Sequence, residues 1–532
     1  MFDKNHVEYC FMDRCCWMLL ALLVVLGTTS AAAQDKPPKP NVLVIMADDL
    51  GFADLGCFGG DIRTPTLDLL AEDGLRFTQF YTAGRSESSR ASLLTGYYHN
   101  QLGAARPSWV KTLPQLLKAA DYRSYHSGKW QLDRWFRKPI ANAGFDRSYH
   151  LADTDQHHWP NEHYLDGVRL DAVDRSDGYN ATRASTDHMI TFLKGHQERH
   201  KGKPFFAYLA YTAPHHPLQA EADNIDDYAD QYADGWDARR ARIFVKQRQM
   251  GLIDTDLAPL EPDLIAPGAT ENQRGLLGSN EVPYALRWFE LSNEQQRFQA
   301  QKMRVYAAMI DRMDREIGRV ISQLRRMRAY ENTLIVFMSS SGASSEIVVG
   351  PSGHDPRARP GSGDTYLSLG PGWASSSNTP FRQHKLTTYE GGVAVPMIAH
   401  WRRAIEDEGE IKTEVSHLID LAPTILKLAG VKPGPAVKDV PALPGVDLGA
   451  ALTSQGRFPR RELFFSQAGN RALRLGDWKI VALAKDRAWS LYDMRSDRAE
   501  EDNAGRREPE KLLELTMRWE RLNRDFEEDA QR

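Results

Sequence analysis

Asp48 and Asp49 stand side by side at the end of an apolar run, Asn41 to Ala47. Adjacent carboxylates there offer the hard oxygen ligands that a cation such as calcium prefers; the same pair also suits a loop or a helix cap. Ser86 opens a segment that reads as a helix through Leu94. A helix N-terminus presents free N–H groups and the positive end of the dipole, so an anion is favoured there. Such an anion would have Ser86 beside it and Arg90 one turn further on. Taken alone, Ser86 to Ser89 equally read as N-cap residues. Lys129 follows a strand-like Tyr122 to His126, His215 lies in Ala213-Pro214-His215-His216-Pro217, and Lys385 lies shortly before Glu390-Gly391-Gly392. Each of these bases, read singly, is an ordinary surface or packing residue. Asn180-Ala181-Thr182 fits a glycosylation acceptor, a motif short enough to arise by chance.

Strands must carry these groups. Asn41 to Ala47, Pro204 to Tyr211, Thr333 to Met338 and Val395 to Trp401 are continuous apolar runs of the kind buried on both faces of a parallel sheet. Between them Leu113 to Ala120, Ala181 to His196 and Glu294 to Arg328 have helical spacing. The alternation predicts an α/β fold, a large mainly parallel sheet sandwiched by helices. In such sheets ligands gather at the carboxyl ends of strands, where the polar residues above fall. Ala220 to Val282 and Gly350 to Ser377 read as long loops, the first a solvated insertion or a wall of the cleft, the second a cover over the site. After Gly456 four short strand-like pieces and a charged helix, Pro509 to Phe526, predict a small antiparallel sheet with one packed helix. The expected division is a signal over 1–33, a linker over 34–40, a main domain over 41–450 and a C-terminal subdomain over 451–532.

With 532 residues the chain can bury a large core, and 42% apolar and 26% charged residues are ordinary for a globular protein. A net charge of −4 without a basic run argues against nucleic acid as a partner. Lys4 and Arg14 precede the apolar run Cys16 to Leu26, and Ala31-Ala32-Ala33 offers a cleavage site. The run is short for a membrane span, so the mature chain is expected to have none and to be exported, periplasmic or secreted. Cys10, Cys15 and Cys16 would leave with the signal, and Cys57 alone then remains, with no internal disulfide.

The stretch Arg85-Ser86-Glu87-Ser88-Ser89-Arg90-Ala91-Ser92-Leu93-Leu94-Thr95-Gly96 resembles the signature of the formylglycine-dependent, arylsulfatase-type sulfatases of the alkaline phosphatase superfamily. So do Ala47-Asp48-Asp49-Leu50-Gly51-Phe52-Ala53-Asp54-Leu55-Gly56, Tyr306 to Asp314, Asn332 to Phe337 and Leu491-Tyr492-Asp493. The resemblance runs from about Lys39 to Arg524. It implies hydrolysis of the sulfuric ester of an aryl or carbohydrate compound, a sulfated small molecule or glycan. Asp48 and Asp49 would be calcium ligands, and Ser86 the precursor of formylglycine, made by a maturase. Arg90 would steady the aldehyde hydrate, while Lys129, His215 and Lys385 would bind sulfate or move protons.

The chain departs from that pattern at specific places. Ser88 stands for the usual Pro, Gln131 for a His, and Ser340-Ser341 for the Asp-Asn that completes the calcium ligands. Gln467 and Ala468 replace a common His-Glu in the tail. Hydroxyls are poorer calcium ligands than carboxylates, so a weakened metal site is expected, with Asp355 or Asp364 as candidate replacements. Two functions follow: a hydrolase with a degenerate centre, or a non-catalytic protein that binds sulfated glycans. Direct use of Ser86 on phosphate or phosphonate esters is a third, disfavoured because such chemistry wants a well-held metal.

Overall fold

The computed structural model describes residues 38–532 except 105, 137–139, 177, 432–439, 454–460 and 487. The expected signal over 1–33, residues 34–37 of the expected linker and Cys10, Cys15 and Cys16 lie outside the described residues.

Fifteen strands are described: β1 Asn41–Ala47, β2 Leu75–Tyr81, β3 Arg123–Lys129, β4 Arg147–Leu151, β5 His163–Leu165, β6 Val168–Arg169, β7 Phe205–Ala210, β8 Thr333–Ser339, β9 Ala394–His400, β10 Glu410–Lys412, β11 Ser416–His417, β12 Glu462–Gln467, β13 Asn470–Leu475, β14 Trp478–Ala482 and β15 Ser490–Asp493. The helices used below are α1 Ser86–Thr95, α2 Ala181–Arg199, α3 Gly235–Gln249, α4 Asn293–Arg326 and α5 Pro509–Gln531. Eleven strands form one sheet in the order β10-β2-β9-β8-β1-β7-β3-β4-β5-β6, with β11 also on β2. β12 to β15 form a separate antiparallel sheet in sequence order. The fold is therefore the α/β class read from the sequence, and the tail is the expected small sheet with a helix.

Period-two alternation explains why the large sheet is buried on both faces. Leu43, Ile45 and Ala47 of β1 join a core with α2 and α4, while Val42, Val44 and Met46 join a second core on the other face. The long helix α4 enters the first core through Met303, Tyr306, Ile310, Met313, Ile317, Val320 and Leu324, the stripe that helical spacing predicts. Among the described residues no helix is long and apolar enough to cross a membrane.

The sheet is not wholly parallel: at one edge β5 pairs antiparallel with β4 and β6, and near the other a second reversal occurs. β9 runs antiparallel to both β8 and β2, whereas β1 pairs parallel with β7 and β8. The segment that leads into β9, with Lys385 and Glu390, therefore arrives at the sheet end where β1, β3, β7 and β8 finish.

The loop expected over Ala220 to Val282 is corrected by the structure. It holds helices Ala222–Asp226, α3 and Glu271–Leu277. α3 has few apolar residues to mark it: it buries Trp236 against Trp288 and Trp373, and Arg239 against Asp54 and Asp61. Buried polar pairs anchor it in place of an apolar stripe. The expected loop over Gly350 to Ser377 is irregular until a buried helix, Pro371–Ser377.

Candidate active site

β1 ends at Ala47, and the two carboxylates follow at once. Asp48 N donates to Ala213 O at 3.0 Å and Ser340 N to Ala47 O at 3.0 Å, which ties the ends of β1, β7 and β8 together. The Tyr306 hydroxyl of α4 donates to Asp49 O at 3.3 Å and to Asp54 Oδ2 at 2.7 Å, supporting the Asp49 turn from beneath. Lys129 is the last residue of β3, and Gly128 before it has φ +112°; a Cβ there would fall 2.0 Å from Ala210 O. Only glycine lets β3 pass β7 this closely just before the lysine.

Ser86 is the first residue of α1, and Gly96 closes that helix in a left-handed C-cap. Ser86 Oγ donates to Asp48 Oδ1 and lies 3.1 Å from Ser340 Oγ and 3.5 Å from Asp49 Oδ1. Lys129 Nζ donates to Asp48 Oδ2 at 2.5 Å. The Arg90 guanidinium, fully buried, donates to Tyr208 Oη at 3.0 Å and stands 3.6 Å from Asp48. Lys385 Nζ donates to Asp49 Oδ2 at 2.7 Å and lies 2.8 Å from Glu346 and 3.3 Å from His215 Nε2. His215 Nδ1 makes a 2.5 Å hydrogen bond to His216 O, so its Nε2 is the acceptor that faces Lys385.

The structure thus brings together Asp48, Asp49, Ser86, Arg90, Lys129, His215, Ser340, Ser341 and Lys385. Gln131 is exposed, one residue past the buried Trp130. Ser88 Oγ donates to Gln467 Oε1 at 2.9 Å, so two positions that depart from the family pattern hold each other. Ala468 and Gly469, both with positive φ, form the tight turn between β12 and β13. Asn180 caps α2, accepting from Arg183 N, and is buried; it is no exposed glycan acceptor.

Asp355 and Asp364 do not enter the centre. Asp364 pairs with Arg175 at 2.9 Å and Asp355 caps its own loop. Both line a separate cleft of about 660 Å³ with Asp153, Asp155, Trp159 and His354. The third carboxylate at the centre is Glu346, five residues past Ser341, which no motif in the sequence marks. His216 is the second group that sequence reasoning missed, although it adjoins His215.

Electrostatics follow from burial. Burial works to raise the Asp48 carboxyl, but Lys129 and Arg90 overcome it and hold it well below the usual range. Burial lifts Asp49 to about 6 against the pull of Lys385. Burial also pushes His215 well below its ordinary value and His216 to about 3, so both imidazoles are neutral at pH 7. Glu346 resists burial because Lys385 holds it at about 2.

The donor set answers differently to the two groups that the resemblance implies. A hydrated aldehyde at 86 needs acceptors for two hydroxyls, and Asp48 Oδ1 and Asp49 Oδ1 both face Oγ, so that group fits. Calcium wants six to eight oxygen ligands, several of them anionic. Here Asp48 and Asp49 already face Lys129 and Lys385. Ser340 and Ser341 spend their hydroxyl protons on the same carboxylates at 2.7 and 3.0 Å. These residues do not fit calcium.

Known proteins resemble this chain along most of its length. A sequence profile described as Sulfatase matches residues 40–431. An arylsulfatase of Klebsiella aerogenes is 32% identical over 494 residues, covering 84% of this chain and 98% of its own. An uncharacterized sulfatase of Schizosaccharomyces pombe is 30% identical over 548 residues, covering 91% and 94%. The crystal structure of Ps i-CgsB in complex with k-i-k-neocarrahexaose shares the fold, with a TM-score of 0.64 at 23% identity over 91% of this chain and 93% of that one. With its profile match, its relatives and its shared fold, the chain belongs to the sulfatase family.

Proposed function

We propose that the chain acts on the sulfuric esters of aryl or carbohydrate compounds as an exported, periplasmic or secreted, hydrolase of low turnover. The observation that carries this reading is that Lys129, Lys385 and His215 gather on Asp48 and Asp49, the two carboxylates that face Ser86 Oγ at the N-terminus of α1. Two ammonium groups and free helix N–H groups suit a sulfate oxyanion. His215, neutral and with Nε2 toward Lys385, suits proton movement at the ester oxygen. Formylglycine at 86, once a maturase has made it, would supply a nucleophilic hydroxyl for attack on sulfur, held by Asp48 and Asp49. Lys129 and Arg90 keep Asp48 charged beneath it. Loss of a nucleophile or its base costs about 10⁴ to 10⁶ in rate, so an unmodified Ser86 without a metal leaves little turnover. Purified mature protein assayed with an aryl sulfate, alongside mass analysis of the Ser86 peptide, tests this. Slow hydrolysis with an aldehyde at 86 is expected, and unmodified serine with no turnover sinks it.

Ser340 and Ser341 favour a second reading, a non-catalytic protein that binds sulfated glycans. It expects glycan binding in chelator, abolished by Lys129→Ala or Lys385→Ala; no measurable glycan affinity in the native chain removes it.

A further inference from the structure

We infer that this centre works without a divalent cation: the ammonium groups of Lys129 and Lys385 stand where a metal would neutralise Asp48 and Asp49, and Glu346 fixes the second of them. The inference deepens the sulfate-ester reading of the same site and rests on it only for the identity of the anion.

Each acid at the centre has its base. Asp48 lies 2.5 Å from Lys129 and 3.6 Å from Arg90, and Asp49 and Glu346 flank Lys385 at 2.7 and 2.8 Å. Asp48, Asp49 and Glu346 thus face Arg90, Lys129 and Lys385, three charges of each sign. An ammonium has three protons to donate, and the Lys385 partners number three: Asp49, Glu346 and His215 Nε2. A dication added to this set brings two charges with no acid left to meet them, in a place where unpaired charge is costly. Ser340 and Ser341 supply no charge, and both turn their protons toward the carboxylates. Glu346 supplies the negative charge that the Asp-Asn pair would have brought, but directs it to a lysine. It is a positioning residue, acting through Lys385.

Elemental analysis of the purified full chain, with melting curves in EDTA, calcium and zinc, tests the inference. Metal well below one ion per chain and an unchanged Tm are expected. A Ser340→Asp, Ser341→Asn double variant should gain a calcium-dependent rise in Tm. Stoichiometric calcium overturns the inference, as does a native Tm that falls in EDTA. So does stoichiometric zinc, for which Asp49, His215 and His216 offer ligand atoms all within 4.8 Å of one another. If the double variant fails to fold, the native chain's metal content and melting curves decide alone. Calorimetry with p-nitrophenyl sulfate in EDTA reads the role of Glu346. Glu346→Gln, which leaves Lys385 less neutralised, should bind several-fold tighter, whereas Lys385→Ala should lose binding. Equal affinity in Glu346→Gln and native protein overturns the role given to Glu346. Absence of both metal and aryl-sulfate binding supports the metal-free centre and removes the sulfate-ester reading instead.

Discussion

Arg90 meets several acceptors at once. Its guanidinium reaches Tyr208 Oη, the backbone oxygens of Lys129 and Tyr211, and the field of Asp48 from one fully buried position. Arg90→Ala would leave buried Asp48 with Lys129 as its one close ion-pair partner, and removing a member of such a buried cluster costs up to about 3 kcal/mol. Chemical denaturation should show that loss. Arg90→Lys should recover only part of it, since a single ammonium cannot fork to several acceptors in different directions. Asp48, Asp49, Ser86, Arg90, Lys129, His215 and Lys385 were all legible as a set from their local motifs. Glu346 was not, because its place at the centre comes from a long connection after β8 that carries no periodic signal. The pairing of Ser88 with Gln467 was equally hidden: it joins residues 379 positions apart.

Between elements, a buried ion cluster joins the two sheets. Glu390, just before β9, accepts from the Tyr81 hydroxyl at 2.8 Å, Lys479 of β14 at 2.9 Å and Arg498 at 2.9 Å. Glu500 lies 2.8 Å from the same lysine and accepts from Glu390 N at 2.6 Å. Burial, and then repulsion from Glu390, lifts Glu500 from 4.5 to about 7 despite Lys479, while Lys479 and Arg498 hold Glu390 at about 2 against burial. The folded state therefore holds the Glu500 proton more tightly than the unfolded chain does. Its contribution is complete below about pH 4.5 and is lost as pH rises through about 7. Glu390 acts in the opposite sense, with stability present above about pH 4.5 and lost as pH falls toward 2. From pH 5 to 8 the native chain is expected to lose up to roughly 3 kcal/mol through Glu500. Glu500→Gln should flatten that slope in thermal or denaturant unfolding; an unchanged slope would assign the titration elsewhere. The strands of both sheets were visible in apolar runs. The reversal of β9 was not, because a run buried on both faces looks alike in either direction. α3 was missed because its anchors are Arg239, Arg240 and Gln247 as much as Trp236.

The tail is part of the core. Leu463 and Phe465 join the core beneath α4, and Phe464, Leu473, Ile480 and Leu491 join the other. A chain ended at Gly456 would expose both faces and cut the Lys479 and Arg498 ties to Glu390. Insoluble or aggregated product is expected on size-exclusion chromatography, and a soluble, cooperatively melting fragment would contradict this account of the core. Compositional bounds on size and charge could not reveal that dependence, since apolar strands in a tail read the same whether they pack on themselves or on a neighbour.

The Ser88–Gln467 bond also sets a clock. Ser86 is 3% exposed in the finished fold, and the strand that ends at Gln467 lies far along the chain. A second enzyme that must grip the backbone around residue 86 can do so only while that late strand is unsynthesised or undocked. Any chemical editing of this serine is therefore expected to precede the docking of the C-terminal sheet.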